Sequence, residues 1–484
     1  MESAVVSVKT DKNITAIWHI FSNRNKWSTV ELSEVEALAS TKGMLVESIQ
    51  EIEFGFMPRQ KGVLLKTNLG TALYPRERLE DLDLYQRNIA PTNNYEKFWH
   101  SVDWFSPAFM SRNQIFEPIK ACGIDIILHE NYPKELLQKR FDGALSSIYD
   151  FSNIIPITED TLRNSKTISQ HVPLIRESIL AFYSGMKVIA ISGLIPIVES
   201  IISTIIGNDA EQLTIVDKVN KCIDKARANV VNMHFNYADW VPEEYLDNSV
   251  LKILNERVFM LETIRHWLLK SFYSPTADYD NHSGFNRHIF AHAKSNLWHS
   301  NSNFFRALGV IQAMAFVECF AVDGSSVSLF GPVHDENAES LRQEVFACMN
   351  YQLIKNQLLT MQKSEKGLPF NPTSSDDGWL TRAAILSEKM DKELVPNLRD
   401  KGWDCHYISD PIKDGEYITV NARKEDKEIK VALLFSCASS NVLYKKLDET
   451  HQYIIYQGPQ YKQSSFAHGV KAEVRPLSAW IAPN

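Results

Sequence analysis

The stretch GFNRHIFAHAKSNLWHS, Gly284 to Ser300, gathers one arginine (Arg287) and three histidines (His288, His292 and His299) within seventeen positions. Histidine, with an ordinary pKa near ~6.5, exchanges protons around neutrality. The planar fork of arginine holds pairs of phosphoryl oxygens. Cleaving RNA without a metal needs a base for the 2′-hydroxyl, an acid for the leaving oxygen and positive charge for the phosphorane. An Arg–x4–His pair, here Arg287 and His292, supplies those parts. On a regular helix His288 and His292, four residues apart, share a face. Arg287 and His292 lie about 140° apart around the axis. The length of arginine closes part of that gap, and a second copy of the helix across a two-fold axis would close it as well. The turn-rich segment SPTADYDNHSG (Ser274 to Gly284) comes first, so the cluster is expected at a helix N-terminus, where free N–H groups favour an anion.

The elements that must position these residues read as helices. From about 165 to 362 one follows another. LIRESILAFYSGMKVIAISGLIPIVESIISTII predicts a helix, a break at Gly185 and a second helix that carries Glu199. AEQLTIVDKVNKCIDKARANV is amphipathic. SVLKILNERVFMLETIRHWLLKSFY repeats Leu251, Leu254, Val258, Leu261, Ile264 and Leu268 at helical spacing, and Phe304, Leu308, Ile311 and Ala315 form a later stripe. The apolar run Met186 to Ile206 has the length of a membrane span. Lys187, Ser192, Gly193, Pro196 and Glu199 interrupt it, so it reads as a core helix bent near Gly193–Pro196, and no membrane partner is expected.

On either side the texture is mixed. In residues 1–160, positions 28–56 read as a helix capped by Ser28 or Thr29, KGVLLKTNLGTALY as strand, turn and strand, and Cys122 to Glu130 as a short strand. The aromatic run Tyr95 to Met110 reads as packing between domains. Ser364 to Trp379, rich in Gly, Pro, Ser and Asp, reads as a linker. Beyond it, residues 380–484 alternate strand and helix, with WDCHYI, EYITVNAR, EIKVALLFSC and YIIYQG as strands and SSNVLYKKLDE as a helix. The fold expected is α+β and multidomain, with boundaries at 1–160, 165–362 and 380–484, and a sensing or binding role for the last.

FNRHIFAHA, after helices that include GLIPIVESIISTII, resembles the HEPN superfamily of all-helical ribonucleases and its R-x4-6-H signature, over roughly residues 165 to 325. The resemblance implies a dimeric endoribonuclease that uses neither metal nor cofactor, of a kind frequent in toxin and phage-defence systems. It implies Arg287 and His292 as the catalytic pair and Asn286 and His288 as polar neighbours that hold substrate or orient the pair. Glu199 is a looser match to an acidic partner for the arginine. Related sequences often carry Gly after the second histidine, where this chain has Ala293. An RNA substrate, a homodimer and a regulatory protein or phage-derived trigger are the partners that follow.

Composition bounds these readings. The chain of 484 residues is 44% hydrophobic and 23% charged, ordinary for globular proteins. With 51 Lys plus Arg against 59 Asp plus Glu, its formal charge is −8, which argues against a protein that coats nucleic acid non-specifically while leaving room for a local basic cleft. The six cysteines form no CxxC pair, so reduced thiols in a cytoplasmic protein are expected rather than a disulfide scaffold or zinc ribbon. The first residues, MESAVVSVKTDKNITAIWHIF, lack the basic head and apolar core of a signal peptide.

Three rival readings remain. His288 and His292 could hold a metal, with a third ligand from His299, His282 or Glu199, although no Glu lies inside the pair as in HExxH. Asp410, Glu416 and the strand KVALLFSC loosely resemble a restriction-endonuclease-like layout, but the expected Glu–x–Lys is replaced by apolar residues. A non-catalytic scaffold or sensor, dimerising through the helical centre and binding a nucleic acid, nucleotide or protein partner, would leave Arg287 dispensable.

Overall fold

The computed structural model describes residues 12–24, 29–56, 59–292, 300–371 and 375–484. Most of the N-terminal stretch read for a leader, the cap residue Ser28, and Ala293 and His299 lie outside the described residues. The fold is mixed α and β, dominated by helices, with two small sheets. Its contacts divide it into two compact units: Met1–Ile179 with Ile189–Gln343, and Leu180–Val188 with Glu344–Asn484.

In the first unit, β1 (Val46–Phe54), β2 (Gln60–Thr67) and β3 (Gly70–Pro75) form an antiparallel meander. The strand–turn–strand reading of residues 61–74 describes β2 and β3. The helix expected over 28–56 is instead a helix at Leu32–Thr41 followed by β1. Ile49 and Ile52 stand three apart and look helical in the sequence, but they pair with Leu65 and Gly62 of β2, and that pairing overrides local periodicity. The strand expected at Cys122–Glu130 is a turn, because the Asp125 carboxylate accepts hydrogen bonds from the backbone N–H groups of Ile127 and Leu128.

This sheet is not a separate domain. Trp240 donates its N–H to Thr71 and accepts from Leu73 along the free edge of β3, and Tyr74 packs on Trp18, Phe21 and Trp240. Residues 1–160 and the helices after them therefore share one core. The aromatic run Tyr95–Met110 packs inside it as well. Trp104 meets Trp267 at 4.9 Å, Phe98 meets Phe141 at 6.2 Å, and no domain boundary passes there. At the centre runs Asn301–Ala321, buried on every side rather than along the single stripe expected. The repeat at Leu251–Leu268 is two helices, Asn248–Leu254 and Glu256–Trp267, interrupted where Asn255 caps the second.

Among the described residues two helices, Lys187–Ile206 and Asn301–Ala321, are long and apolar enough to cross a membrane by length and composition. The apolar window of the second is 94% buried and that of the first 44%. Lys187–Ile206 is one continuous helix that includes Pro196, and Gly185, at φ +79°, marks the expected break before it.

In the second unit, β4 (Asp404–Ile408), β5 (Tyr417–Lys424), β6 (Lys427–Leu434), β7 (Tyr453–Tyr456) and β8 (Glu473–Pro476) stand in sequence order. The first three are antiparallel and the last two run parallel to β6. β6 is buried on both faces: Val431 and Leu433 enter one core cluster, Ala432 and Leu434 the other. That half of the strand, Val431–Leu434, is accordingly a continuous apolar run rather than an alternating one. The segment Ser364–Trp379, expected to be a linker, belongs to this unit. Phe370 lies 4.7 Å from both Lys363 and Arg382, whose side chains share the buried carboxylate of Glu416.

Candidate functional site

Arg287 begins a one-turn helix, Arg287–Ala291, and Asn286 is its N-cap. Two kinds of contact fix that turn. Phe285, fully buried, lies 5.6 Å from Phe272 and 6.1 Å from Trp267, and Phe290 packs edge-on against it at 5.3 Å. Asn286, with no exposed surface, donates both amide protons to the carbonyls of Ser271 and Ser274 and accepts from the N–H groups of His288 and Ile289. Its polar atoms are fully used, which fits orientation of the turn and leaves it nothing for a substrate. Of the N–H groups expected to be free at this helix start, those of His288 and Ile289 are occupied by that cap, so an anion here would be held chiefly by side chains.

Arg287 reaches back to the Lys187–Ile206 helix, where its Nη2 lies 2.7 Å from Glu199 Oε2. About a third of each side chain is exposed. The pair borders a cavity of about 620 Å³. One wall is Arg287, His288 and His292. The other is the face of the long helix that carries Ser192, Glu199, Ser200 and Ser203. His288 is half-buried and His292, just beyond the helix end, is exposed. The structure therefore brings Arg287, His288, His292 and Glu199 to one cavity and sets Asn286 behind it. Asp280, in the loop that precedes the cluster, pairs with Lys134 at 2.7 Å.

Two groups at this site escaped the sequence reading. Tyr273 is buried and its hydroxyl has no hydrogen-bond partner among the described residues. Burial pushes its phenol well above the ordinary value, the Glu199 carboxylate adds to the rise and Arg287 opposes it, so Tyr273 lies within the field of the ion pair. His171 Nε2 lies 3.1 Å from Ser200 Oγ, and burial lowers its pKa. A signal for the serine wall is present in the sequence: Ser192, Glu199 and Ser203 recur at helical spacing on an otherwise apolar helix.

The arrangement can bind a phosphodiester and move protons. Arg287 offers a fork that Glu199 only partly occupies, the serine hydroxyls offer further hydrogen bonds, and two imidazoles face the same space. Among the described residues no group of three or more His, Cys, Asp or Glu could hold a metal ion. In the second unit Glu416 is buried and bound to Lys363 and Arg382, while Asp410 is exposed on a loop, so the two carboxylates weighed for a nuclease centre are not gathered at one. The cysteines are free thiols. No protein-family model, curated protein or solved structure matches the chain.

Proposed function

We propose that the protein is a metal-independent endoribonuclease of HEPN type, a toxin-like effector of antiviral defence that acts as a cytoplasmic homodimer. The helices between about 165 and 325 are its HEPN-like part, with mixed α/β regions before and after them in the chain. One observation carries this reading: Arg287, ion-paired with Glu199, shares a cavity with His288 and His292.

In this mechanism a base removes the 2′-hydroxyl proton and the 2′-oxygen attacks the adjacent phosphorus. The P–O5′ bond breaks, and an acid returns a proton to the 5′-oxygen. The products are a 2′,3′-cyclic phosphate and a 5′-hydroxyl. His292 serves as general acid or base. Arg287 neutralises charge on the phosphorane oxygens. His288 holds substrate or orients the pair, Glu199 orients Arg287, and Asn286 orients the turn. A second copy of the chain would bring a second Arg/His pair to the same strand, and a regulatory protein or phage-derived trigger would release the activity.

The test is cleavage of tRNA, rRNA and mRNA in EDTA by wild type, Arg287→Ala and His292→Ala, with product ends identified. Cyclic phosphate ends from wild type and none from either variant support the reading. Cleavage that persists in both variants overturns it.

A second reading, a non-catalytic scaffold or sensor, draws on Tyr351, Ile354 and Leu358. They stand at helical spacing on Glu336–Ser364 and are 57%, 63% and 47% exposed, a face suited to a partner chain. On that reading growth arrest by the protein survives Arg287→Ala.

A further inference from the structure

The first unit holds a second and larger cavity, of about 820 Å³. The Arg/His cavity shares none of its lining residues. Its walls are aromatic: Phe56, Tyr95, Phe109, Phe116, Phe316 and Phe330 all contribute. Tyr95 and Phe116 stack in parallel, 5.6 Å apart and 11° from coplanar. Phe330 stands 85% exposed beside it. Phe109 sits at φ +62°, a conformation unfavourable for a bulky residue that persists only where its surroundings impose it.

Into these walls projects Arg257. Its guanidinium lies 3.6 Å from the centre of the Phe56 ring and 5.2 Å from that of Phe320. Among the described residues no carboxylate pairs with it and none of its side-chain donors meets an acceptor. The other two cations of the cavity differ: Lys252 is bound to both oxygens of Glu96 at 2.8 Å, and Arg112 lies 3.5 Å from Glu256. Burial pulls the Arg257 pKa below its ordinary value, and no carboxylate among the described residues restores it. A half-buried cation without a counter-ion is costly, and an aromatic face returns only part of that cost.

The arginine is also held in place. Asn255 caps its helix by accepting the Arg257 N–H at 3.0 Å and donates its amide to His234 Nδ1 at 3.1 Å. His234 in turn accepts the Gly55 N–H on its backbone carbonyl at 2.8 Å. Gly55 has φ +85°, and a Cβ there would meet the His234 ring at 3.2 Å, so glycine is needed to bring Phe56 under the guanidinium.

We propose that this cavity is a ligand site of its own, for a small molecule that joins a flat heteroaromatic ring to an anionic group. The ring would lie among Tyr95, Phe109 and Phe116, and the anion would supply the counter-charge that Arg257 lacks. The volume is that of an ordinary small-molecule site. This inference does not depend on the nuclease reading.

The test is calorimetry on the full-length protein with four probes: adenosine monophosphate, indole-3-acetate, adenosine and inorganic phosphate. Saturable binding of at least one of the two ring-bearing anions is expected. Adenosine and phosphate, each half of the chemistry, should bind at least about tenfold more weakly. Arg257→Met should weaken the tighter anion by about tenfold or more, and Tyr95→Leu by several-fold, while Arg287→Ala leaves it unchanged. Tyr95 is partly exposed, so its variant keeps the question answerable if Arg257→Met does not fold. The proposal is overturned if neither ring-bearing anion binds at millimolar concentration. It is overturned equally if Tyr95→Leu and whichever of Arg257→Met and Arg257→Lys folds bind as wild type does.

Discussion

The two cavities of the first unit are each built around an arginine, and the arginines differ in what already answers their charge. Arg287 has Glu199 at 2.7 Å, hydroxyl-bearing neighbours and two imidazoles in view. Arg257 has ring faces and, among the described residues, no carboxylate. An anion arriving at Arg287 must share it with Glu199, so its gain in the ground state is small. Interactions that strengthen only as charge builds up are the ones that accelerate a reaction. An anion arriving at Arg257 relieves a standing deficit and gains at once, which makes a resident ligand rather than a passing one. On the two proposals made above, the contrast would give chemistry to the first cavity and ligand binding to the second.

The largest effect that would break this contrast is on cleavage. Arg287→Ala and His292→Ala should each lower the rate of RNA cleavage by about 10²–10⁴-fold, the range for loss of a charge-stabilising donor or a proton-transfer group. Rates measured in EDTA on a single fragment, beside affinity for the second-cavity ligand, are the check. If Arg287→Ala weakens both alike, the two cavities are one coupled site and the division of labour fails.

A third arginine serves as the structural control. Arg306 is fully buried in the central helix, and its Nη1 approaches Asp142 Oδ1 to 2.7 Å, off the line of a hydrogen bond. Burial opposes its charge, while Asp142 and Asp103 outweigh that burial and raise its pKa. Arg306→Met leaves two carboxylates without a counter-charge, at a cost of about 3–5 kcal/mol. Urea denaturation checks it: a loss under about 1 kcal/mol would mean that even a fully buried arginine here is held by packing alone.

Acid should destabilise the fold through histidines that include one behind the second cavity. Burial lowers the His234 pKa from 6.5 to about 4, and its Nδ1 must stay unprotonated to accept from Asn255. The unfolded chain takes up this proton near 6.5 and the folded chain only near 4, so stability is fully present above that window and falls as pH drops through it. The loss is about 3 kcal/mol at roughly 1.4 kcal/mol per pH unit. His266, stacked at 3.5 Å on His100 and also lowered to about 4, chiefly by burial and then by His100, adds to the same slope. Urea midpoints between pH 7 and pH 4 should fall less steeply in His234→Asn than in wild type. An unchanged slope would exclude His234 as a source of it.

The sequence made the first cavity legible and the second invisible, for a physical reason. Arg287, His288 and His292 lie within six positions, and Glu199 sits on a helix whose polar residues recur at helical spacing. A local pattern therefore carries most of that site. The second cavity draws on residues near 56, 84–116, 252–260, 316 and 329–331, and nothing in any one segment announces the others. The same limit hid β1, whose partner strand decides its conformation; the turn at Cys122–Glu130 is local instead, made by the Asp125 side chain inside an apolar run that reads as strand. The C-terminal layer was readable because the second half of β6, Val431–Leu434, is buried on both faces and apolar throughout. The role of Asn286 was half legible: its place beside Arg287 was visible, but the two carbonyls that consume its amide come from Ser271, in the last helical turn before the loop, and from Ser274 just after it.

The smallest expected effect tests whether Glu199 acts only through Arg287. Glu199→Gln keeps the shape and removes the charge. A pair whose side chains are each about a third exposed contributes under about 1 kcal/mol, so folding stability should barely change. Kinetics should divide: without its competitor Arg287 holds phosphate more readily and KM falls, while a less firmly oriented guanidinium lowers kcat, each by roughly three- to tenfold. A variant as inactive as Arg287→Ala, with KM unchanged, would place Glu199 on the reacting atoms as a base and remove Arg287 as the reason for its presence. The smaller, divided effect instead keeps the carboxylate as the element that makes this arginine wait for charge to develop, the property that separates it from Arg257.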